Sequence, residues 1–290
     1  MSIIEEIDKK LIDTEVQPHV MTRLMAITQK EDHSVRDVVS IIEVDPSLTA
    51  RVLRVANSAA YSRRKSITSL HRAIVHLGER MVIGIAIGAC LSKMYNPPLD
   101  GYAAASGELW DHSLRTAIAS RLLANHCYNE VSGDLAFTCG LIHDIGKSII
   151  SEYLVGHAEK AREWFETGRV SSFLEAEREI INTDHAEIGS IIASRWDLPE
   201  PLVEAIKHHH KPSEADVKYK NLVYVVHLGD IFAMLGGTGT GADTLAYELD
   251  EEYNQYISIN KHDFSRLLLA VQEEFLEIQN NVFAEEDHIA

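Results

Sequence analysis

Seven side chains of the kinds that bind divalent metal ions occur in the order His112, His143-Asp144, His185, His209-His210 and Asp230. Neutral imidazoles and ionised carboxylates are the donors that divalent iron, manganese, zinc or nickel take, and no thiolate belongs to the set. The chemistry they predict is that of a two-metal site, not of a soft-metal cluster or a zinc finger. Glu108 stands four residues before His112 in a strongly helical stretch, so both project from one face and can address one point. His143 and Asp144 are neighbours and diverge by about 100° on a helix, which suits an ion lying between them or a carboxylate bridging two ions. Asp144 is the predicted bridge. Gly146 permits close backbone approach, and Lys147 places a cation one turn beyond Asp144, where a phosphoryl oxygen can bind.

The remaining candidates sit where helices must supply them. His209 and His210 end an amphipathic segment just before Pro212, and imidazoles at a helix terminus can face a cavity. Asp230 interrupts an apolar stripe between Leu222 and Leu235, and a carboxylate buried there requires a cation or strong donors opposite it. His19, His33, His71, His76, His126, His157 and His227 read as packed or surface residues, and His208 is ambiguous.

Apolar residues recur at three and four positions through nearly every segment, and no alternating Val/Ile runs bounded by hairpin turns appear. The fold class predicted is all-α. Asp45 before Pro46, Ser34 and Thr68 are candidate N-caps, and Gly78 is a candidate helix stop. Asn96-Pro97-Pro98-Leu-Asp-Gly101 cannot continue a helix, so the chain divides into an N-terminal helical bundle, 1–96, and a C-terminal helical unit, 97–290, that carries the metal donors. Within the second unit, helices are predicted at 106–128, 133–154, 157–167, 171–181, 184–196, 200–209, 217–235 and 262–281. Gly236 to Gly241 comes after a helix instead of a strand and lacks Gly-Lys-Ser/Thr, so it reads as a flexible connector and not a phosphate loop. The acidic end, 284–290, reads as a frayed tail.

A formal charge of −17, from 27 Lys+Arg against 44 Asp+Glu, opposes binding to DNA or RNA, because such binding displaces counterions with cationic side chains. Cys90, Cys127 and Cys139 lie apart in apolar helical stretches and read as buried free thiols, which fits a reducing cytoplasm. The start of the chain does not read as a secretion signal. The apolar run from Met81 to Leu91 is too short for the roughly 18 residues that cross a bilayer and reads as a buried helix.

The donors in this order resemble the HD superfamily of metal-dependent phosphohydrolases. More closely, Glu108, His112, His143, Asp144, Lys147, His185, His209, His210 and Asp230 match the metal-site positions of the HD-GYP phosphodiesterases, which surround two or three ions. The Gly-Tyr-Pro expected just after the His-His pair is replaced by Lys211-Pro-Ser-Glu-Ala-Asp216. The longer resemblance is to the HDOD family, the HD-related output domains of bacterial signalling proteins. It is carried by Val44 to Tyr61, Ile67 to Gly78, Trp110 to Ser113, Gly140 to Lys147, His185 to Gly189 and Trp196 to Pro199.

The resemblance implies a regulatory output module with two divalent ions, iron or manganese first and zinc, nickel or magnesium as alternatives. Its partners would be signalling proteins supplied in trans, with a nucleotide or phosphate as a further ligand. The alternative it implies is an active phosphohydrolase or phosphodiesterase on a nucleotide-type substrate, in which Asp144 helps hold the ions and Lys147 steadies a non-bridging oxygen. Oxygen-dependent chemistry at a di-iron centre is a third reading. Arg63-Arg64-Lys65 forms a small basic island that reads as a solvated loop or as a set of donors closing over an anionic ligand.

Overall fold

The computed structural model describes residues 18–28, 33–57, 67–237 and 241–282. These residues form fourteen α-helices and several 3-10 turns, with no strand among them. The all-α expectation holds.

The N-terminal unit comprises α1 (Pro18–Thr28), α2 (Val35–Ile42), α3 (Pro46–Asn57), α4 (Leu70–Leu77) and α5 (Glu79–Tyr95). Ser34 and Asp45 both stand at N-cap positions: Asp45 accepts the Leu48 N–H at 3.2 Å, while Ser34 makes no side-chain cap bond and its backbone N–H donates to Asp37 at 2.9 Å. At α4 the cap is Ser69, which accepts from the Arg72 N–H, and not Thr68. Gly78 ends α4 at φ +87°, a value that L side chains rarely adopt, and the chain re-enters a helix at once as α5. Val82, Ala86, Ile87 and Leu91 are fully buried, so the apolar run is a core helix. Among the described residues no single helix is long and apolar enough to cross a membrane.

The second unit comprises α6 (Glu108–Ala124), α7 (Gly133–Ile142), α8 (Lys147–Ile150), α9 (Ala158–Glu166), α10 (Phe173–Ile181), α11 (His185–Arg195), α12 (Glu200–His208), α13 (Lys220–Leu235) and α14 (Lys261–Val282). The predicted division at 96/97 falls in the loop between α5 and α6. Packing crosses it: α5 lies on both α6 and α7, and α14 lies on both α6 and α3.

Two glycines set the spacing of the helices that carry metal donors. A Cβ on Gly140 of α7 would fall 2.8 Å from the Thr116 carbonyl oxygen, and one on Gly229 of α13 would fall 2.4 Å from Ser120 Oγ. Both residues therefore bring their backbones directly against α6. His112, His143 and Asp230 lie within about a turn or so of these contacts.

The predicted helix 133–154 is broken: α7 ends at Ile142, and residues 143–146 form a turn before α8. His143 and Asp144 thus leave from a helix end and a turn, not from a continuous helix. The turn lays Gly146 against the first turn of α11, where a Cβ would lie 1.9 Å from the His185 carbonyl oxygen and 2.8 Å from the Gly189 nitrogen. Both obstacles are backbone and cannot swing aside. Gly146→Ala is expected to lower the unfolding free energy by about 1–3 kcal/mol or more, the cost of overpacking a tight core. Urea denaturation checks this, and an unchanged midpoint would mean that the contact is looser in solution.

Candidate metal centre

His112 comes from the second turn of α6, His143 and Asp144 from the turn after α7, His185 from the start of α11, His209 and His210 from the end of α12, and Asp230 from α13. The fold brings all seven together. His143, Asp144, His185 and His209 are fully buried, with His112 and Asp230 at 2% and 1% exposure.

Three of the imidazoles are oriented by partners at Nδ1. That of His143 donates to the Gly140 carbonyl at 2.7 Å, and that of His209 to the Ile206 carbonyl at 2.7 Å. The Nδ1 of His185 lies 2.9 Å from both oxygens of Glu177. A carbonyl only accepts, so in His143 and His209 the proton sits on Nδ1 and, in the neutral ring, Nε2 presents a lone pair inward. The Nε2 atoms of His143 and His209 have no hydrogen-bond partner, although both are buried. Across the cluster, His185 Nε2 and His210 Nε2 lie 3.0 Å apart, a separation that requires a shared proton or a cation between them.

Asp144 stands at the centre. Its Oδ1 faces His185 Nε2 at 3.3 Å and His209 Nε2 at 3.5 Å, while its Oδ2 faces His143 Nε2 at 3.3 Å and His112 Nε2 at 3.5 Å. Two sets of donor atoms result, each with all its atoms within 4.8 Å of one another: Asp144, His185, His209 and His210, and His112, His143 and Asp144. Asp230 spans the two, with Oδ1 3.0 Å from His112 Nε2 and Oδ2 3.7 Å from His210 Nδ1. Inward lone pairs on buried nitrogens, arranged on both sides of one carboxylate, are a donor set that fits a pair of divalent ions.

The electrostatics agree with this fit. Burial lowers the pKa of His143, but Asp144 and Asp230 outweigh it and raise the ring to about 10. Burial pushes His209 down to about 4 and His210 well below its usual range. Burial opposes ionisation of Asp144 and Asp230, yet His143 and Lys147 hold the first, and His112 and His143 the second, well below the usual carboxylate range. The carboxylates, His209 and His210 are thus already in the protonation state that metal binding uses, whereas His143, held as an imidazolium by the two carboxylates, would release its Nε2 proton to a bound ion.

Other predicted site residues are placed differently. Glu108 is half-buried at the first position of α6 and belongs to neither donor set, despite its spacing from His112. His208 is half-buried beside Glu204, outside both sets. Lys147 is 1% exposed and held between Asp144 Oδ2 at 2.8 Å and Asp243 Oδ2 at 2.7 Å. In this arrangement, binding a phosphoryl oxygen would require it to leave one of the two carboxylates. Arg63 and Arg64 lie outside the described residues.

Five further residues complete the centre. Glu177 of α10, fully buried, accepts the His185 backbone N–H at 2.8 Å and the Tyr102 hydroxyl at 2.6 Å. Asp243 accepts the Tyr247 hydroxyl at 2.7 Å, and the Tyr247 ring stacks on His210 with centroids 3.8 Å apart and planes 11° from parallel. His227 donates through Nδ1 to the His209 carbonyl at 2.7 Å and accepts the Asp250 N–H at 3.0 Å. The glycine-rich connector therefore leads into a strap, 241–250, that closes the centre. Gly241, at φ +94°, would carry a Cβ 2.2 Å from the Tyr102 carbonyl oxygen, and the Ala242 N–H donates to that oxygen at 2.7 Å. Asp243 just beyond the glycine run was the one available sign of this role; Glu177 looks like any other acid of an amphipathic helix.

A cavity of about 250 Å³ meets the donor set at His210 and is lined also by Arg178, Lys207, Lys211 and Glu214. It lies below the roughly 300–1,000 Å³ of ordinary small-molecule pockets.

Residues 15–212 match the family model of the HDOD domain. An uncharacterised protein of Treponema pallidum is 26% identical over 234 residues, which is 78% of this chain and 42% of that protein. The chain therefore spans about two fifths of the length of that curated relative. Ribonuclease Y of Thermus thermophilus is 30% identical over 112 residues, or 39% of this chain and 14% of the enzyme. In fold, the chain is similar to the crystal structure of an HDOD domain protein of unknown function from Geobacter sulfurreducens, with a TM-score of 0.68, 21% identity, and coverage of 91% of this chain and 90% of the other. The family model takes in well over half of the sequence, and with it all the donors but Asp230: the chain belongs to the HDOD family.

Proposed function

We propose that this chain is a regulatory HDOD module whose centre holds two divalent ions bridged by Asp144, and that it acts through protein partners in signal transduction. His112, His143, Asp144 and Asp230 would hold one ion, and Asp144, His185, His209 and His210 the other. Mixed imidazole and carboxylate donors put iron or manganese first, with zinc, nickel or magnesium as alternatives. Such ions, when bound, lower the pKa of their water and polarise phosphoryl oxygens. The protein's own part is to orient the imidazoles through Gly140, Ile206 and Glu177, to keep the carboxylates ionised, and to exclude bulk water.

The observation that carries the regulatory reading is the enclosure of a complete donor set. Tyr247 covers His210, Asp243 engages Lys147, and the cavity beside His210 measures about 250 Å³. A nucleotide would have to displace the strap before any phosphorus reached the centre, whereas a state change at the ions can be passed outward through packed helices. Hydrolysis is the second reading, favoured by the intact donor set and by the likeness to part of Ribonuclease Y. The net charge of −17 disfavours an RNA substrate.

The test is hydrolysis by the metal-loaded chain across linear and cyclic nucleotides, beside Asp144→Asn. The regulatory reading expects no turnover above that variant; turnover that disappears in Asp144→Asn selects the hydrolase. Glu177 offers a separate check on the metal reading. Partners that fix the ring of a metal-binding histidine typically contribute 10–100-fold in affinity. Glu177→Gln is therefore expected to weaken metal binding by about that factor, measured by competition with a chelator. Equal affinity with an intact circular dichroism spectrum would remove Glu177 from the centre.

A further inference from the structure

Every metal donor of the centre belongs to the second unit, yet one side chain of the N-terminal unit reaches the same level. Helix α5 runs in step with α7: a Cβ on Gly84 would meet Phe137 at 3.0 Å and Thr138 at 3.1 Å, and one on Gly88 would meet Leu141 at 2.7 Å. Four residues along one helix thus correspond to about four along the other. Tyr95 lies seven residues beyond Gly88, two turns on and on the same face. Beyond Leu141 the partner helix ends at Ile142, and the chain passes through the turn that carries His143 and Asp144 into α8, which opens at Lys147. The neighbouring Met94 lines a cavity together with Ser148 and Ile149, which places the end of α5 at that level independently.

The Tyr95 side chain is fully buried, and its hydroxyl has no hydrogen-bond partner. Phenylalanine would fill the same space without leaving a desolvated O–H, so tyrosine here implies an acceptor. Burial, and then the charge of Asp144, push the phenol well above its usual range, so the group keeps its proton and can only be improved by something to donate to.

We propose that Tyr95 is the contact of the N-terminal unit with the centre: its O–H donates to solvent bound at the metal ions, so that filling the centre fixes the end of α5. This inference rests on the metal reading of the centre. Its consequence is a physical route outward, because α5 packs on α1, α2, α3 and α4. Tyr95 is thus a positioning and coupling residue, and α5 is the element that both the centre and the bundle can bias.

The experiment compares the full chain and Tyr95→Phe, each with and without cobalt(II). Chelator competition gives the cobalt affinity, and amide hydrogen exchange gives the protection of residues 79–95. The expected result is equal or greater stability of metal-free Tyr95→Phe and cobalt binding about tenfold weaker, the ratio that one hydrogen bond sets. Loading should also protect 79–95 less in the variant than in the parent chain. A parent chain that binds cobalt with Tyr95→Phe matching it in affinity and protection overturns the role of Tyr95 alone. A parent chain that binds no cobalt overturns this role together with the metal reading.

Discussion

Asp144→Asn is expected to remove both ions, whereas His112→Ala and His209→Ala each remove one. The reason is geometric. Asp144 is shared by both donor sets, with Oδ1 toward His185 and His209 and Oδ2 toward His112 and His143. An asparagine keeps the size but replaces one oxygen with an amide nitrogen that has no lone pair for a metal, and it withdraws the negative charge that both sides share. Removing His112 or His209 leaves the opposite set whole. Elemental analysis of protein purified without chelator or nickel affinity resin reads the stoichiometry directly, with circular dichroism to verify the helices. About two ions per chain in the parent, near none in Asp144→Asn and about one in each histidine variant is the expected series for a carboxylate-bridged pair. One ion retained in Asp144→Asn would mean that the two sides are independent. No metal in the parent, even from oxygen-free and iron-replete growth, would reduce the donor set to a charge-balanced polar core.

The same centre marks what a sequence discloses and what it hides. The seven donors were legible because residue type and order are properties of the sequence, and the helices carrying them were legible through apolar periodicity and caps such as Ser34 and Asp45. The break at 143–146 was not, because local propensity favours helix there and the competing contact, Gly146 against the His185 carbonyl, comes from about forty residues away. Glu177 was hidden for a similar reason: its neighbours Glu175 and Glu179 have the same chemistry, and only the packing of α10 selects which of the three turns inward. Its spacing from His112 and the resemblance to the HD-GYP positions brought Glu108 into the candidate set, and it remains at the helix start outside both donor groups. The strap was the largest omission, since a glycine-rich run carries no information about where the chain beyond it docks. Asp230 and the strap both lie beyond residue 212, where the HDOD match ends, so the closure of the centre belongs to a part of the chain that the family model does not take in.

Lys147→Met is expected to lower the unfolding free energy of the metal-free protein by about 3–5 kcal/mol, the range for removing one partner of a buried ion pair. Burial works against the charge on Lys147, but Asp144, Asp243 and Asp230 together outweigh it and raise its pKa. Methionine keeps the volume and withdraws the cation from between two carboxylates with 1% and 0% side-chain exposure. Asp243→Asn should cost less, because Lys147 retains Asp144 and an asparagine can still accept from Tyr247. The double variant Lys147→Met/Asp243→Asn leaves no buried charge of this pair unmatched, so its loss should fall short of the sum of the singles by about 1–3 kcal/mol, as expected of groups in direct contact. Urea denaturation in the presence of a chelator measures the cycle without a contribution from lost metal. A strictly additive cycle would mean that the strap does not hold Lys147 in solution. The ammonium would then be available to an anionic ligand at the centre, and the phosphate-binding role predicted from the His-Asp-x-Gly-Lys string would regain the argument that the observed pairing now takes from it.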